Sequence, residues 1–109
     1  MITVYHITLS SNWPNIKQYG LIPQIGRNSQ AIGETKPTIY LFPDLESSNN
    51  ALDNWFGDLY NDDQDLIRLT INCPNNLIQK SDAEYERVSY QTIPSNYISQ
   101  LHGTKVPRL

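Results

Sequence analysis

His6, Tyr40, Ser48, Glu84 and Glu86 are the residues of this chain whose types suit chemistry on a polar ligand. A neutral imidazole donates from one ring nitrogen and accepts at the other. Tyr40 offers an aromatic face with a polar tip. Glu84 and Glu86 alternate along a strand-like stretch and so share one face. A carboxylate there stabilises developing positive charge and can take a proton. Each residue also has a plainer role. His6 alone reads as a hydrogen-bonded structural residue, Tyr40 as a β-former packed on a helix, and Ser48 as a solvated helix serine. The glutamates with Arg87 read as an exposed strand face that discourages edge pairing. Cys73, just before Pro74, has no assigned base and reads as a small buried or semi-exposed thiol. Ser10 and Ser11 read as helix caps, and His102 as a flexible terminal residue. The run Asp62-Asp63-Gln64-Asp65 lacks the alternating ligand set, glycine and closing glutamate of a calcium loop, so it reads as a solvated turn. No metal site is expected.

The elements that must position these residues follow from periodicity and punctuation. Residues 2–8 alternate as a strand, with His6 on the face of Val4. Ser10 or Ser11 caps a short helix carrying Trp13, Ile16 and Tyr19, which Gly20 stops. Residues 21–36, broken by Pro23, Gly26 and Gly33, form a long loop of the kind that carries function in small domains. Residues 37–42 form a second strand ending at Pro43, which puts Tyr40 near a strand end. From Asp44 as cap to Asp58 the apolar residues Leu45, Ala51, Leu52, Trp55 and Phe56 predict a helix, closed by Gly57 and the acidic stretch 61–65. Strands follow at 66–71, 85–90 and 97–101. Helices early and strands late give an α+β class in a single domain, 1–109.

Four segments in order carry a resemblance: Tyr5-His6-Ile7-Thr8, Gly20-Leu21-Ile22-Pro23, Thr38-Ile39-Tyr40-Leu41-Phe42 and Glu84-Tyr85-Glu86-Arg87-Val88. Together they resemble the His-Tyr-Glu, diphtheria-toxin-like and poly(ADP-ribose) polymerase-like branch of the ADP-ribosyltransferase superfamily, from Tyr5 to about Ile98 with shortened loops. The resemblance implies a compact split β core with two main helices, and NAD as co-substrate. It assigns His6 to a hydroxyl of the nicotinamide ribose, Tyr40 to stacking on nicotinamide, and Ser48, eight residues on, to the carboxamide. Ile7 falls where relatives bring backbone to the same amide, and the resemblance also counts Thr8 among the NAD-binding residues. Ile7 stands where glycine is usual and narrows the pocket mouth. Glu84 is placed first as the catalytic carboxylate through Glu-Tyr-x-x-Val, with Glu86 close behind. The pair also resembles the two-glutamate motif of arginine-modifying transferases, a branch that has arginine in place of His6. Arg27, in the long loop, is assigned to the diphosphate. Arg68 and Arg87 are expected to face solvent.

Eight basic against eleven acidic side chains give a net charge of −3, which disfavours tight binding to a phosphate backbone. A nucleic acid would have to be met by a local patch such as Lys105 and Arg108. A lone cysteine closes no intramolecular disulfide and fits a reducing cytoplasm. The N-terminus shows no basic region or long apolar run, so neither a signal peptide nor a membrane span is expected. The expected activity is transfer of ADP-ribose from NAD to a macromolecular acceptor, protein before nucleic acid, as in a bacterial or phage toxin or effector with an antitoxin or host-protein partner. The rivals are an NAD-dependent RNA 2′-phosphotransferase, a catalytically inactive ADP-ribosyltransferase-like binding module, and a plain α+β interaction protein.

Overall fold

The alternation at the N-terminus forms strand β1 (Ile2–Leu9) in the computed structural model, which describes residues 1–24, 36–54 and 65–105. A short 3-10 turn, Ser10–Asn12, leads into helix α1 (Trp13–Tyr19). The expected serine cap is absent. Asn12 holds the cap position, but its Nδ2 turns back to donate to Thr8 Oγ1 at 2.9 Å. Pro14, in the first turn, has no N–H for a cap to satisfy. Gly20 ends the helix at φ 83°, its N–H donating to Ile16 O at 2.8 Å. Only glycine fits, because a Cβ there would run into the Ile93 carbonyl oxygen. Leu21 and Ile93 exchange both backbone hydrogen bonds, each 2.9 Å, and this pins the chain directly after the turn.

Strand β2 (Ile39–Leu41) is followed by helix α2 (Leu45–Asn54), capped as expected by Asp44, whose Oδ1 accepts from Ser47 N–H at 2.6 Å. Ser48 and Ala51 are buried on its sheet-facing side, whereas Leu45 is exposed and lies off that face. The second half of the expected helix, with Trp55, Phe56 and Gly57, and the acidic stretch 61–64 lie outside the described residues.

Strand β3 (Leu66–Cys73) has antiparallel partners on both edges: β1, in continuous register from Ile2↔Cys73 to Leu9↔Leu66, and β6 (Ile98–Lys105). The order of this sheet is β1-β3-β6. His102 therefore lies within a strand rather than in a loose terminus, because β6 runs past the expected end at 101. A smaller sheet has the order β2-β5-β4, with β4 (Gln79–Lys80) and β5 (Arg87–Ser89). Strand β4 was too short to show in the sequence pattern. The expected strand 85–90 shrinks to β5 because Glu84 and Tyr85 are taken into a turn, with Glu86 N–H donating to Ala83 O at 3.1 Å. The Arg87 guanidinium closes that turn from its Nη1, onto the carbonyls of Glu84 (3.0 Å) and Glu86 (2.8 Å).

The described residues thus make an α+β domain with two helices and two small antiparallel sheets. Apolar side chains pack on both faces of the β1-β3 ladder. On one face Val4, Leu69 and Ile71 join Leu41, Ile93 and the α1 residue Ile16. On the other, Ile7 and Leu66 join Phe42 and the α2 residue Ala51. Val4, Leu69 and Ile71 are fully buried, and each such burial contributes about 1.5–3 kcal/mol. The floor beneath both helices is held accordingly. No helix among the described residues is long and apolar enough to cross a membrane.

The two sheets meet at one backbone bridge. Tyr5 N–H donates to Phe42 O at 2.9 Å and Phe42 N–H to Tyr5 O at 2.8 Å. At the other end of β1, Ser10 N–H donates to Asp65 O at 2.9 Å, one rung beyond the β3 ladder. Antiparallel hydrogen bonding alternates, so even-numbered residues of β1 bond toward β3 and odd-numbered ones point toward β2. This parity sets up the site.

Candidate functional site

Continuing the Tyr5–Phe42 register by one hydrogen-bonded rung would pair Ile7 with Tyr40 through their backbones. That rung is not made. The half-buried imidazole of His6 enters instead, and its Nδ1–H donates to the Tyr40 carbonyl at 2.8 Å. Strands β1 and β2 consequently part just beyond their single bridge, with His6 lodged in the split. A carbonyl only accepts, so Nδ1 carries the hydrogen and Nε2 is left as an acceptor in the neutral ring. Burial pushes the His6 pKa below its ordinary 6.5, and the Tyr40 hydrogen bond opposes that shift less strongly. The ring is held neutral, in one tautomer and one orientation.

Ile7, the next residue, presents its backbone N–H and C=O into the same split, where no described residue pairs with them. Its side chain goes the other way and is buried against Phe42, Ala51 and Leu66. The expected bulk at the pocket mouth is thus taken up in packing under α2. Thr8 is buried, and its hydroxyl accepts from Asn12, so it anchors the start of α1.

Tyr40 is half-buried in the middle of β2, flanked by Ile39 and Leu41, which point into the α1-side core. Period-two alternation sends Tyr40 to the opposite, α2 side with Phe42. Its cross-strand partner is Val88. Glu86 lies half-buried two residues ahead of Val88, immediately before β5, whereas Glu84 is exposed in the preceding turn. The two glutamates are therefore not alternate residues of one strand. Ser48 is fully buried on α2, and its Oγ donates to Leu45 O at 2.7 Å. Its donor is spent within the helix, which leaves lone pairs only. Arg27 lies outside the described residues.

Arg68 contradicts its expected exposure. It stands opposite Ile7 in the β1-β3 ladder and is only 5% exposed, on the side facing α2. Its Nη2 donates to Asn49 Oδ1 on α2 at 2.7 Å, and its buried Nε has no partner. A signal for this burial was present in the sequence. Leu66-Ile-Arg-Leu-Thr-Ile71 is a nearly unbroken apolar run, the pattern of a strand covered on both faces, so the arginine within it had no solvent side. Arg87 is half-buried by its turn-closing bonds rather than free in solvent.

Among the described residues no cluster of histidine, cysteine and carboxylate side chains is arranged to hold a metal ion. The arrangement can instead grip an uncharged polar ligand: a neutral acceptor at His6 Nε2, a backbone donor and acceptor side by side at Ile7, and an aromatic ring at Tyr40. No protein-family model, curated protein or solved structure matches the chain.

Proposed function

We propose that the chain is an NAD-dependent ADP-ribosyltransferase with a minimal split β core, and that the split between β1 and β2 receives the nicotinamide riboside end of NAD. One observation carries this reading: His6 bonds the Tyr40 carbonyl through Nδ1 where a β1–β2 rung would form, which leaves Nε2 an acceptor and the adjacent Ile7 backbone groups directed toward β2 without a β2 partner. A primary carboxamide has one acceptor oxygen and an N–H donor, which complement the Ile7 N–H and C=O. His6 Nε2 accepts from a ribose hydroxyl, and Tyr40 stacks on the pyridinium ring. Neutrality of His6 suits this site, because an imidazolium would repel the positive ring.

Of the two glutamates, Glu86 is the better placed. Extending the β5 pleat by one residue puts Glu86 on the face of Val88, diagonal to Tyr40. The glycosidic bond breaks with its electron pair leaving on nicotinamide, and the acceptor nucleophile bonds the ribosyl carbon. The proton of that nucleophile passes to the Glu86 carboxylate, which also stabilises the oxocarbenium-like transition state. Burial of Ser48, with its donor used by Leu45, favours a second reading in which the domain binds such a ligand without turning it over.

Nicotinamide release from NAD by purified wild type, His6→Ala, Glu84→Gln and Glu86→Gln proteins, with and without acceptors from cell lysate, tests the proposal. His6→Ala and Glu86→Gln are expected to lower release by about 10²–10⁴-fold, with Glu84→Gln near wild type. Dependence on lysate identifies transfer rather than hydrolysis. Folded wild type that neither releases nicotinamide nor binds NAD overturns the reading.

A further inference from the structure

Lys36 is a cation that the proposed reaction does not use, although it stands just ahead of the strand that carries Tyr40. Its ammonium lies 3.7 Å from the centre of the Tyr90 ring, and both side chains are exposed, Tyr90 at 37%. The ring face attracts the ammonium through its quadrupole and leaves the charge uncancelled. Among the described residues no carboxylate pairs with Lys36, in a chain where acidic side chains outnumber basic ones. The backbone here is held as well. The Lys36 carbonyl accepts from Thr38 Oγ1 at 2.8 Å, Thr38 N–H donates to Gln24 O at 3.2 Å, and Pro37 biases Lys36 toward extended conformations. A surface lysine is ordinarily a point charge on a flexible stem, whereas this one is held at both its backbone and its tip.

The small sheet relates this pair to Tyr40. The pair Ile39↔Ser89 ends the β2-β5 ladder, so Tyr90 follows opposite Thr38, and extending the β5 pleat by one residue puts it on the face of Val88 and Tyr40. The ammonium over Tyr90 therefore stands two residues, or about 7 Å, along the sheet from the Tyr40–Val88 pair. The edge of β2 is closed at that level, because Gln24 takes the Thr38 N–H. A ligand that stacks on Tyr40 and extends in this direction passes over the face, toward an exposed cation about one ribose away.

We infer that Lys36, steered by Tyr90, binds the phosphate attached to the nicotinamide riboside, so that the split takes a nicotinamide nucleotide and discriminates against the unphosphorylated riboside. The inference rests on the reading that nicotinamide stacks on Tyr40. A phosphate brings negative charge and acceptor oxygens to the three ammonium N–H groups, whereas the riboside hydroxyl in its place carries no charge. Tyr90 acts through Lys36 and is a positioning residue: its ring face sets where the ammonium stands.

The test is isothermal titration calorimetry of the full chain with NAD, nicotinamide mononucleotide and nicotinamide riboside, at low and high salt. Wild type is expected to bind both phosphorylated compounds more tightly than the riboside. Lys36→Gln should weaken NAD and nicotinamide mononucleotide by about tenfold and reduce the salt dependence of their binding, while the riboside binds as it does to wild type. Lys36→Arg should keep the preference for phosphate. Tyr90→Leu should weaken the phosphorylated compounds by about threefold, and Tyr90→Phe, which keeps the ring face, should restore them. Equal weakening of the riboside by Lys36→Gln, or no weakening of either phosphorylated compound, overturns the inference while riboside binding still supports the split as the nicotinamide site. Folded wild type that binds none of the three compounds overturns both the inference and the reading on which it rests.

Discussion

His6 performs a structural and a chemical task with different ring atoms. Nδ1 takes the Tyr40 carbonyl that a backbone rung between β1 and β2 would have used, and Nε2 remains an acceptor in the neutral ring. Because burial holds its folded-state pKa below the ordinary 6.5, the fold favours neutral imidazole. A depressed pKa contributes stability that is fully present above pH 6.5 and lost as pH falls through the folded value. The urea midpoint of the wild-type protein is therefore expected to fall between about pH 6.5 and 5, before most carboxylates titrate. His6→Asn, whose amide can still donate to the Tyr40 carbonyl but does not titrate, should flatten that interval. An equal decline in both proteins would show that His6 is not held neutral.

Among the elements, the turn after α1 is fixed by several constraints at once. Gly20 combines a positive φ with contact to the Ile93 carbonyl, while Leu21 and Ile93 lock the two segments together on either side. An L-residue in this conformation costs roughly 1–2 kcal/mol before any clash is counted. The displaced Ile93 carbonyl adds to that, since Leu21 N–H would lose its acceptor. Gly20→Ala is expected to lower unfolding free energy by about 2–4 kcal/mol in urea denaturation, with an unchanged denaturant slope. A loss below roughly 0.5 kcal/mol would mean that the turn relaxes freely.

At the level of the whole molecule, backbone bonding at the Tyr5–Phe42 bridge and apolar packing on both faces of the β1-β3 ladder couple the two sheets. Phe42 contributes to both, its backbone pairing with Tyr5 and its ring packing with Ile7, Ala51 and Leu66 under α2. Phe42→Ala keeps the bridge atoms but empties the cluster, and truncations of buried phenylalanine cost about 3–5 kcal/mol. The expected outcome is a loss in that range by urea denaturation, accompanied by loss of the pH dependence assigned to His6 as β1 and β2 separate. A variant that loses stability but keeps the His6 titration would show that the bridge alone maintains the split.

Local signals in the sequence were enough for the α+β class, for β1 with His6 on the Val4 face, for the Gly20 stop, for the Asp44 cap and for β3, because periodicity, caps and forced turns act over a few neighbouring residues. What they could not decide was pairing between distant segments. The same Glu-Tyr-Glu-Arg-Val string fits a longer strand or a turn followed by a short one, and bonds from the Arg87 side chain to two backbone carbonyls accompany the second outcome. The apolar run 66–71 signalled that Arg68 is buried, but what covers it, partners on both edges of β3 and a helix above, lies in no window around the residue. The split itself exists because a side chain from β1 took the carbonyl that a β1–β2 rung would have used, a competition between groups 34 positions apart that only the folded chain brings together.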